Sequence, residues 1–238
     1  MKRDEYMIPK KIHYCWFGKN ELPEKAIRCI ESWKRFCSDY EIIEWNEDNY
    51  DVYQNPYTKY VYDNKKYAFL SDYARLQIIL QEGGVYFDVD VEVVRSLDDL
   101  LIHKAFFGFE TEEYVNTGVG FGAEAGNLIV KNMLSEYNKL LDGKSGTIGC
   151  PILNTAALKK YGLVQDGSKQ VIDGAVIYPI QYFNPYDDPT GRLNKTINTY
   201  SIHWFAKSWM PKRTRVRSQC TRILHRIFGT KLIKRNKK

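Results

Sequence analysis

Apolar residues recur along this chain first at helical and then at strand spacing, and the change between the two falls at a pair of glycines. Over residues 66–82, Phe69, Tyr73, Leu76, Ile79 and Leu80 keep the spacing of an amphipathic helix. Gly83 and Gly84 supply the positive φ that ends such a helix. Val85, Tyr86 and Phe87 then form a short β-favouring run, so Asp88 and Asp90 are expected where a buried strand leaves its sheet. Strand alternation points both carboxylates to one side, with Val89 turned away.

The same reading divides the rest of the chain. Residues 8–17 make a first strand ending at Gly18, and Pro23 opens a helix with Ala26, Ile27, Ile30 and Trp33 on one face. Residues 40–45 are a second strand. Residues 91–94 continue the strand of the two aspartates, 97–101 form a helical turn, and 105–109 and 118–123 are further short strands. An amphipathic helix is predicted over 127–141, a flexible loop over 143–149 and another helix from Cys150 through Leu158. Short strands over 170–179 precede a loop or lid at 183–192, and the last strand covers 199–204. In open α/β sheets of this kind, ligands bind at the carboxyl edge of the strands.

With 238 residues, 44% of them apolar, the chain can bury one substantial core. We expect a catalytic domain over 1–206 and a basic tail over 207–238. The net charge of +6 is concentrated in that tail, where 12 Lys or Arg face no Asp or Glu; the remainder is net acidic. Read as a helix over 216–228, the tail places Val216, Cys220, Ile223, Leu224, Ile227 and Phe228 on one face. Arg215, Arg222, His225 and Arg226 fall opposite, and Gly229 is a stop. Such a helix suits an anionic membrane surface, contacted through residues 212–238. The acidic body argues against a nucleic-acid partner.

Cys15, Cys29, Cys37, Cys150 and Cys220 are odd in number and include no Cys-x-x-Cys pair, which suggests neither a disulfide framework nor a zinc site and fits a reducing cytosol. No apolar leader and no run of 18 apolar residues occur, so a cytoplasmic protein, peripheral on the inner face of the membrane, is expected.

Two adjacent carboxylates taken out of water repel and lose hydration unless a cation joins them. Oxygen ligation suits Mg²⁺ or Mn²⁺, which leave coordination positions to water and substrate phosphates. Asp72 and Arg75 lie at i and i+3 on the preceding helix, close enough to pair.

The run Ser71-Asp72-Tyr73-Ala74-Arg75, followed by Gly83-Gly84-Val85-Tyr86-Phe87-Asp88-Val89-Asp90, resembles the signature of glycosyltransferase family 32 and its relatives, including the glucosylating clostridial toxins. The resemblance is close in this core, moderate in the first strand and scattered in the C-terminal half. It implies a GT-A fold: a Rossmann-like, mostly parallel sheet with helices on both faces. It also implies that Asp90 binds the metal, that Asp88 contacts metal and ribose, and that Asp72 and Arg75 hold the donor sugar, with Ser71 beside them. His13 to Gly18 resembles the family's opening motif, so Trp16 would stack on the nucleotide base next to Cys15; His13 itself reads as structural. Asn49 would contact base or ribose, His203 would be the third metal ligand, and Ser208 and Trp209 would close over the donor. Glu110, Glu112, Glu113 and Asn116 are acceptor-side candidates.

The implied function is metal-dependent transfer of a hexose from a nucleotide sugar, with a uridine diphosphate sugar as the default, to a hydroxyl of a glycan or lipid-linked acceptor. Retention of configuration and a role in polysaccharide or capsule biosynthesis come with the resemblance. Two rivals are a haloacid-dehalogenase-type phosphatase and a non-catalytic protein acting through its basic tail. The first expects Thr or Val where this chain has Glu92, and it lacks a preceding Ser-Asp-x-x-Arg helix.

Overall fold

The computed structural model describes residues 7–207, together with Arg213, Thr221, Arg222, His225 and Arg226. The first strand, β1 (Lys11–Cys15), is buried at four of its five positions, as befits an interior parallel strand. It leads to α1 (Glu24–Phe36), which buries Ala26, Cys29, Ile30 and Trp33. Ile27, expected on that face, stays exposed at 45%. After β2 (Glu41–Trp45) comes α2 (Pro56–Asp63), a helix absent from the sequence reading. Its start is a capping box: the Asn55 side chain accepts from Thr58 N at 3.0 Å and Thr58 Oγ1 accepts from Asn55 N at 3.3 Å. The predicted central helix is α3 (Tyr67–Glu82), and Gly83 ends it with φ +65°.

Beyond α3 lie β3 (Gly84–Tyr86), β4 (Val91–Val93), β5 (Ala105–Gly108) and β6 (Phe121–Ala123). The helix expected over 127–141 is α4 (Leu128–Ser135), continued by a tighter 3₁₀ turn over Glu136–Leu140. Then follow α5 (Cys150–Lys159), β7 (Gln170–Ile172), β8 (Ala175–Tyr178) and α6 (Ile180–Phe183). Part of the segment read as a loop or lid is a small hairpin, β9 (Tyr186–Asp187) with β10 (Arg192–Leu193), and β11 (Ser201–His203) comes last.

Seven strands form one sheet in the order β2-β1-β3-β6-β5-β8-β7. Five of them point one way, and β6 and β7 run against them. Alternate residues feed two cores on opposite faces. Tyr86 and Phe107 join a core with Leu70, Ile79, Ile129 and Leu153 from α3, α4 and α5. Val85 and Phe106 join one with Trp33 of α1 and Phe183 of α6.

The strand of the two aspartates does not continue as expected. Regular pairing stops after Tyr86, and Asp88 to Val91 is a turn closed by Val91 N donating to Asp88 O at 3.0 Å. β4 leaves the main sheet and pairs antiparallel with β11, setting Val91 opposite His203. Side chains of α1 cover its other edge: Val93 N donates to Ser32 Oγ at 2.9 Å, and Trp33 Nε1 donates to Val91 O at 2.8 Å. Among the described residues no helix is long and apolar enough to cross a membrane.

Candidate functional site

A cavity of about 1230 Å³ opens where β1 and β3 end, and its lining includes Cys15, Trp16, Ser71, Asp72, Arg75, Asp88, Asp90 and His203. Arg75, 2% exposed, is its organising cation. Its Nη2 lies 2.6 Å from Asp72 Oδ1 and 3.2 Å from Asp88 Oδ1, and its Nε donates to Ser71 O at 3.1 Å. The guanidinium sits 4.9 Å from the centre of the Tyr86 ring. Nη1 is buried and has no partner among the described residues. One helix residue thus fastens α3 to the Asp-x-Asp turn.

Asp72 also faces Cys150 at the start of α5, which with Arg75 favours its ionised form. Burial still raises the Asp72 carboxyl above its ordinary value, against the pull of Arg75. Burial likewise pushes Asp88 up to about 6; Arg75 opposes the rise and Asp90 adds to it.

Asp88, Asp90 and His203 each offer a ligand atom, and these atoms lie within 4.8 Å of one another. Burial would raise Asp90, but His203 and the Ala206 N–H, donating to Asp90 Oδ2 at 2.7 Å, hold it low. His203 Nε2 stands 3.3 Å from Asp90 Oδ1, and its buried Nδ1 has no partner among the described residues. Burial acts to lower His203, yet Asp90 brings it above its ordinary value. The turn after β11 wraps this group: Trp204 N donates to Asp90 O at 3.0 Å, and Phe205 takes φ +49°, rare for a bulky residue. Two carboxylates and an imidazole whose ligand atoms lie this close together fit a divalent cation.

Other expected residues are placed differently. Asn49 does not line the cavity; its amide donates to Glu44 O at 2.8 Å and accepts from Asn46 N at 2.8 Å, holding the loop after β2. Ser208, Trp209 and the helix read over 216–228 lie outside the described residues, apart from Thr221, Arg222, His225 and Arg226. Trp16 is at the rim, its Nε1 donating to Asn20 O at 2.6 Å. His13 is fully buried between Trp45 Nε1, which donates to Nδ1, and Gly83 O, which accepts from Nε2; burial lowers it to about 4. Glu110 and Asn116 line the cavity, and Asn116 Oδ1 accepts from Gly118 N at 2.6 Å and from the Cys150 thiol at 3.2 Å. Cys15, Cys29, Cys37 and Cys150 are free and buried, and burial raises each thiol.

Gly118 escaped the sequence reading. A Cβ there would stand 2.4 Å from Asp88 Oδ2 and 2.8 Å from Arg75 Nη1. The available signal was the pair Gly118 and Gly120 inside a strand-like pattern, which marks close approach of backbone to something else.

Residues 23–107, which contain this helix and turn, match the family described as glycosyltransferase sugar-binding region containing DXD motif. The stretch is thus similar to a DXD-type sugar-binding region. Inositol phosphoceramide mannosyltransferase 3 of Schizosaccharomyces pombe is 33% identical over 107 residues, 42% of this chain and 29% of that protein. Mannosyltransferase 1 of the same yeast is 28% identical over 116 residues, 44% of this chain and 35% of that protein. The chain therefore spans about a third of the length of these two relatives. An uncharacterized glycosyltransferase of Acanthamoeba polyphaga mimivirus is 24% identical over 222 residues, 86% of this chain and 85% of that protein. Among solved structures, the galactosyltransferase LgtC, in complex with donor and acceptor sugar analogues, matches with TM-score 0.47 and 14% identity, covering 89% of this chain and 93% of that one. The matched region sits on the mixed, mostly parallel sheet that was expected, with helices on both faces.

Proposed function

We propose that this chain is a metal-dependent glycosyltransferase that moves a hexose from a nucleotide sugar, by default a uridine diphosphate sugar, to a hydroxyl of a glycan or lipid-linked glycan. The observation carrying this reading is the meeting of Asp88, Asp90 and His203 with the buried Arg75–Asp72 pair in one cavity. The two carboxylates and the imidazole would hold Mn²⁺ or Mg²⁺, and the imidazole weighs toward Mn²⁺. When bound, the ion supplies Lewis-acid stabilisation of charge on the leaving diphosphate.

The chain's own groups do the rest. Arg75 Nη1 is buried and unpaired, so the guanidinium keeps positive charge to set against a developing oxyanion, and a preformed cation in a buried site costs no reorganisation as charge develops. The Asp72 carboxylate, fixed by Arg75, accepts hydrogen bonds from donor-sugar hydroxyls and so orients the anomeric carbon. Trp16 offers its ring to the base. Retention of configuration follows from the resemblance in the DXD-type region. The basic tail, residues 207–238, would bring the enzyme to an anionic membrane surface at the cytoplasmic face, where lipid-linked polysaccharide precursors are within reach.

The test is release of uridine diphosphate from a panel of its sugars, with Mn²⁺ and with chelator. Asp90→Asn should lower metal-dependent release at least about 100-fold, as loss of one charge-stabilising group does, with the circular dichroism spectrum unchanged. Full release by that variant, or equal release in chelator, would overturn the assignment.

A further inference from the structure

Between α6 and β11 the chain leaves the wall of the main cavity and turns outward. Leu193 of β10 pairs with Tyr186 of β9, and Tyr186 lines that cavity. Every residue from Arg192 to Asn198 is exposed, and two of them are large and apolar: Leu193 at 44% and Ile197 at 90%. A single apolar residue on a surface is ordinary. What sets Ile197 apart is the turn that holds it.

That turn is fixed from both sides. Thr196 N donates to Thr199 Oγ1 at 2.9 Å, and Asn198 N donates to Thr196 Oγ1 at 3.2 Å. The Thr199 hydroxyl, on a residue 2% exposed, donates to Gln181 O at 2.8 Å, and Arg95 Nη1 donates to Ile197 O at 3.3 Å. An anchored backbone therefore presents the Ile197 side chain to solvent.

The charge beside the tip is positive. Arg192 and Lys195 are exposed and enter no ion pair among the described residues, and the stretch 192–198 contains no Asp or Glu. Asp187, opposite Arg192 in the hairpin, is engaged by Thr190 instead. Asp99, behind the turn, is taken by Arg95 at 2.9 Å and by the Tyr200 hydroxyl at 2.8 Å. A protruding apolar side chain among cations matches an anionic lipid surface, where the apolar group enters below the headgroups and the charged groups stay among the phosphates. A protein partner would instead call for a packed patch with aromatic anchors.

We infer that the turn carrying Ile197, with Leu193, Arg192 and Lys195, is a second membrane contact, on the body of the protein, and that it takes an anionic lipid surface. One apolar tip and two cations bind only marginally alone, and stable anchoring takes two signals. The tail supplies recruitment and the turn supplies orientation: Ile197 lies at most about 14 Å along the chain from Leu193, which adjoins the cavity wall. The inference rests on the membrane reading of the tail and adds this contact to it.

Co-sedimentation of the full chain with vesicles of phosphatidylglycerol and phosphatidylcholine, against phosphatidylcholine alone, tests it at low salt. Ile197→Ser should weaken binding to the anionic vesicles about tenfold, the scale of one apolar side chain withdrawn from the interface. Lys195→Gln should weaken it about fivefold. Both variants keep the tail, and both should keep the parent's thermal unfolding midpoint, because the two positions are exposed. Ile197→Trp reads insertion directly: on anionic vesicles its fluorescence should be quenched by brominated acyl chains beyond the quenching seen in the parent. Parent-like binding by Ile197→Ser, or no added quenching in Ile197→Trp, would overturn the inference and leave the tail's role standing. No binding of the full chain to anionic vesicles would remove both.

Discussion

Gly118 leaves room that the side chains of Asp88 and Arg75 fill. Its missing Cβ would lie 2.4 Å from Asp88 Oδ2, 2.8 Å from Arg75 Nη1 and 3.1 Å from Asn116 Oδ1. Gly118→Ala must therefore move Asp88 or Arg75, and a misplacement of about 1 Å can cost about 100-fold in rate. We expect that loss in uridine diphosphate release with little change in the thermal unfolding midpoint; activity within a few fold of the parent would mean that the pair shifts freely. His13 gives a second residue-scale test, this time of stability. Its folded value, about 4, lies below the ordinary 6.5, so at intermediate pH the unfolded chain binds the proton and the folded chain does not. Stability present above pH 6.5 is thus lost as pH falls toward 4. Between pH 7.5 and 5 the loss from this residue is about 2 kcal/mol. In urea unfolding, the pH-dependent loss should shrink by about that amount in His13→Gln, and an unchanged loss would show that His13 titrates normally.

At the scale of elements, the ribbon of β4 and β11 holds Asp90 next to His203, and α1 holds the ribbon. Ser32→Ala takes the acceptor from Val93 N, and a buried donor left unsatisfied costs about 1–3 kcal/mol. We expect that loss in denaturant unfolding together with weaker Mn²⁺ binding by calorimetry; a stability loss with unchanged Mn²⁺ affinity would uncouple the ribbon from the proposed metal site. This ribbon was the least legible part of the sequence. Its strands are three residues each, and their pairing joins Val91 to His203 across more than a hundred positions, so no local pattern records it. By contrast α3 was legible because sixteen residues of helical spacing end at a glycine. The alternation argument brought Asp88 and Asp90 to one side for the wrong reason, since a turn rather than a strand places them. Asn49 misled because a short polar side chain in a loop serves backbone turns as readily as ligands.

For the whole molecule, the question is what an acidic body does with a basic tail. Two tail residues read as solvent- or lipid-facing are held by the hairpin region instead. Arg222 Nε donates to Asp188 O at 2.9 Å and its Nη2 pairs with the Asp188 carboxylate, while His225 Nδ1 donates to Pro189 O at 3.1 Å. Lys207 shares the same carboxylate at 2.5 Å. Part of the tail's charge is thus occupied by the body, and each Lys or Arg near an anionic leaflet contributes about 1 kcal/mol, or about fivefold in binding. Asp188→Asn removes the anion that competes with lipid for Arg222 and Lys207. Its co-sedimentation with anionic vesicles at low salt should therefore exceed that of the parent by about fivefold or more, while a chain truncated after Pro211 should lose its preference for anionic over neutral vesicles. Equal sedimentation of the full and truncated chains would remove the membrane role. Weaker binding by Asp188→Asn would mean that docking on the hairpin presents the basic face to lipid rather than withholding it.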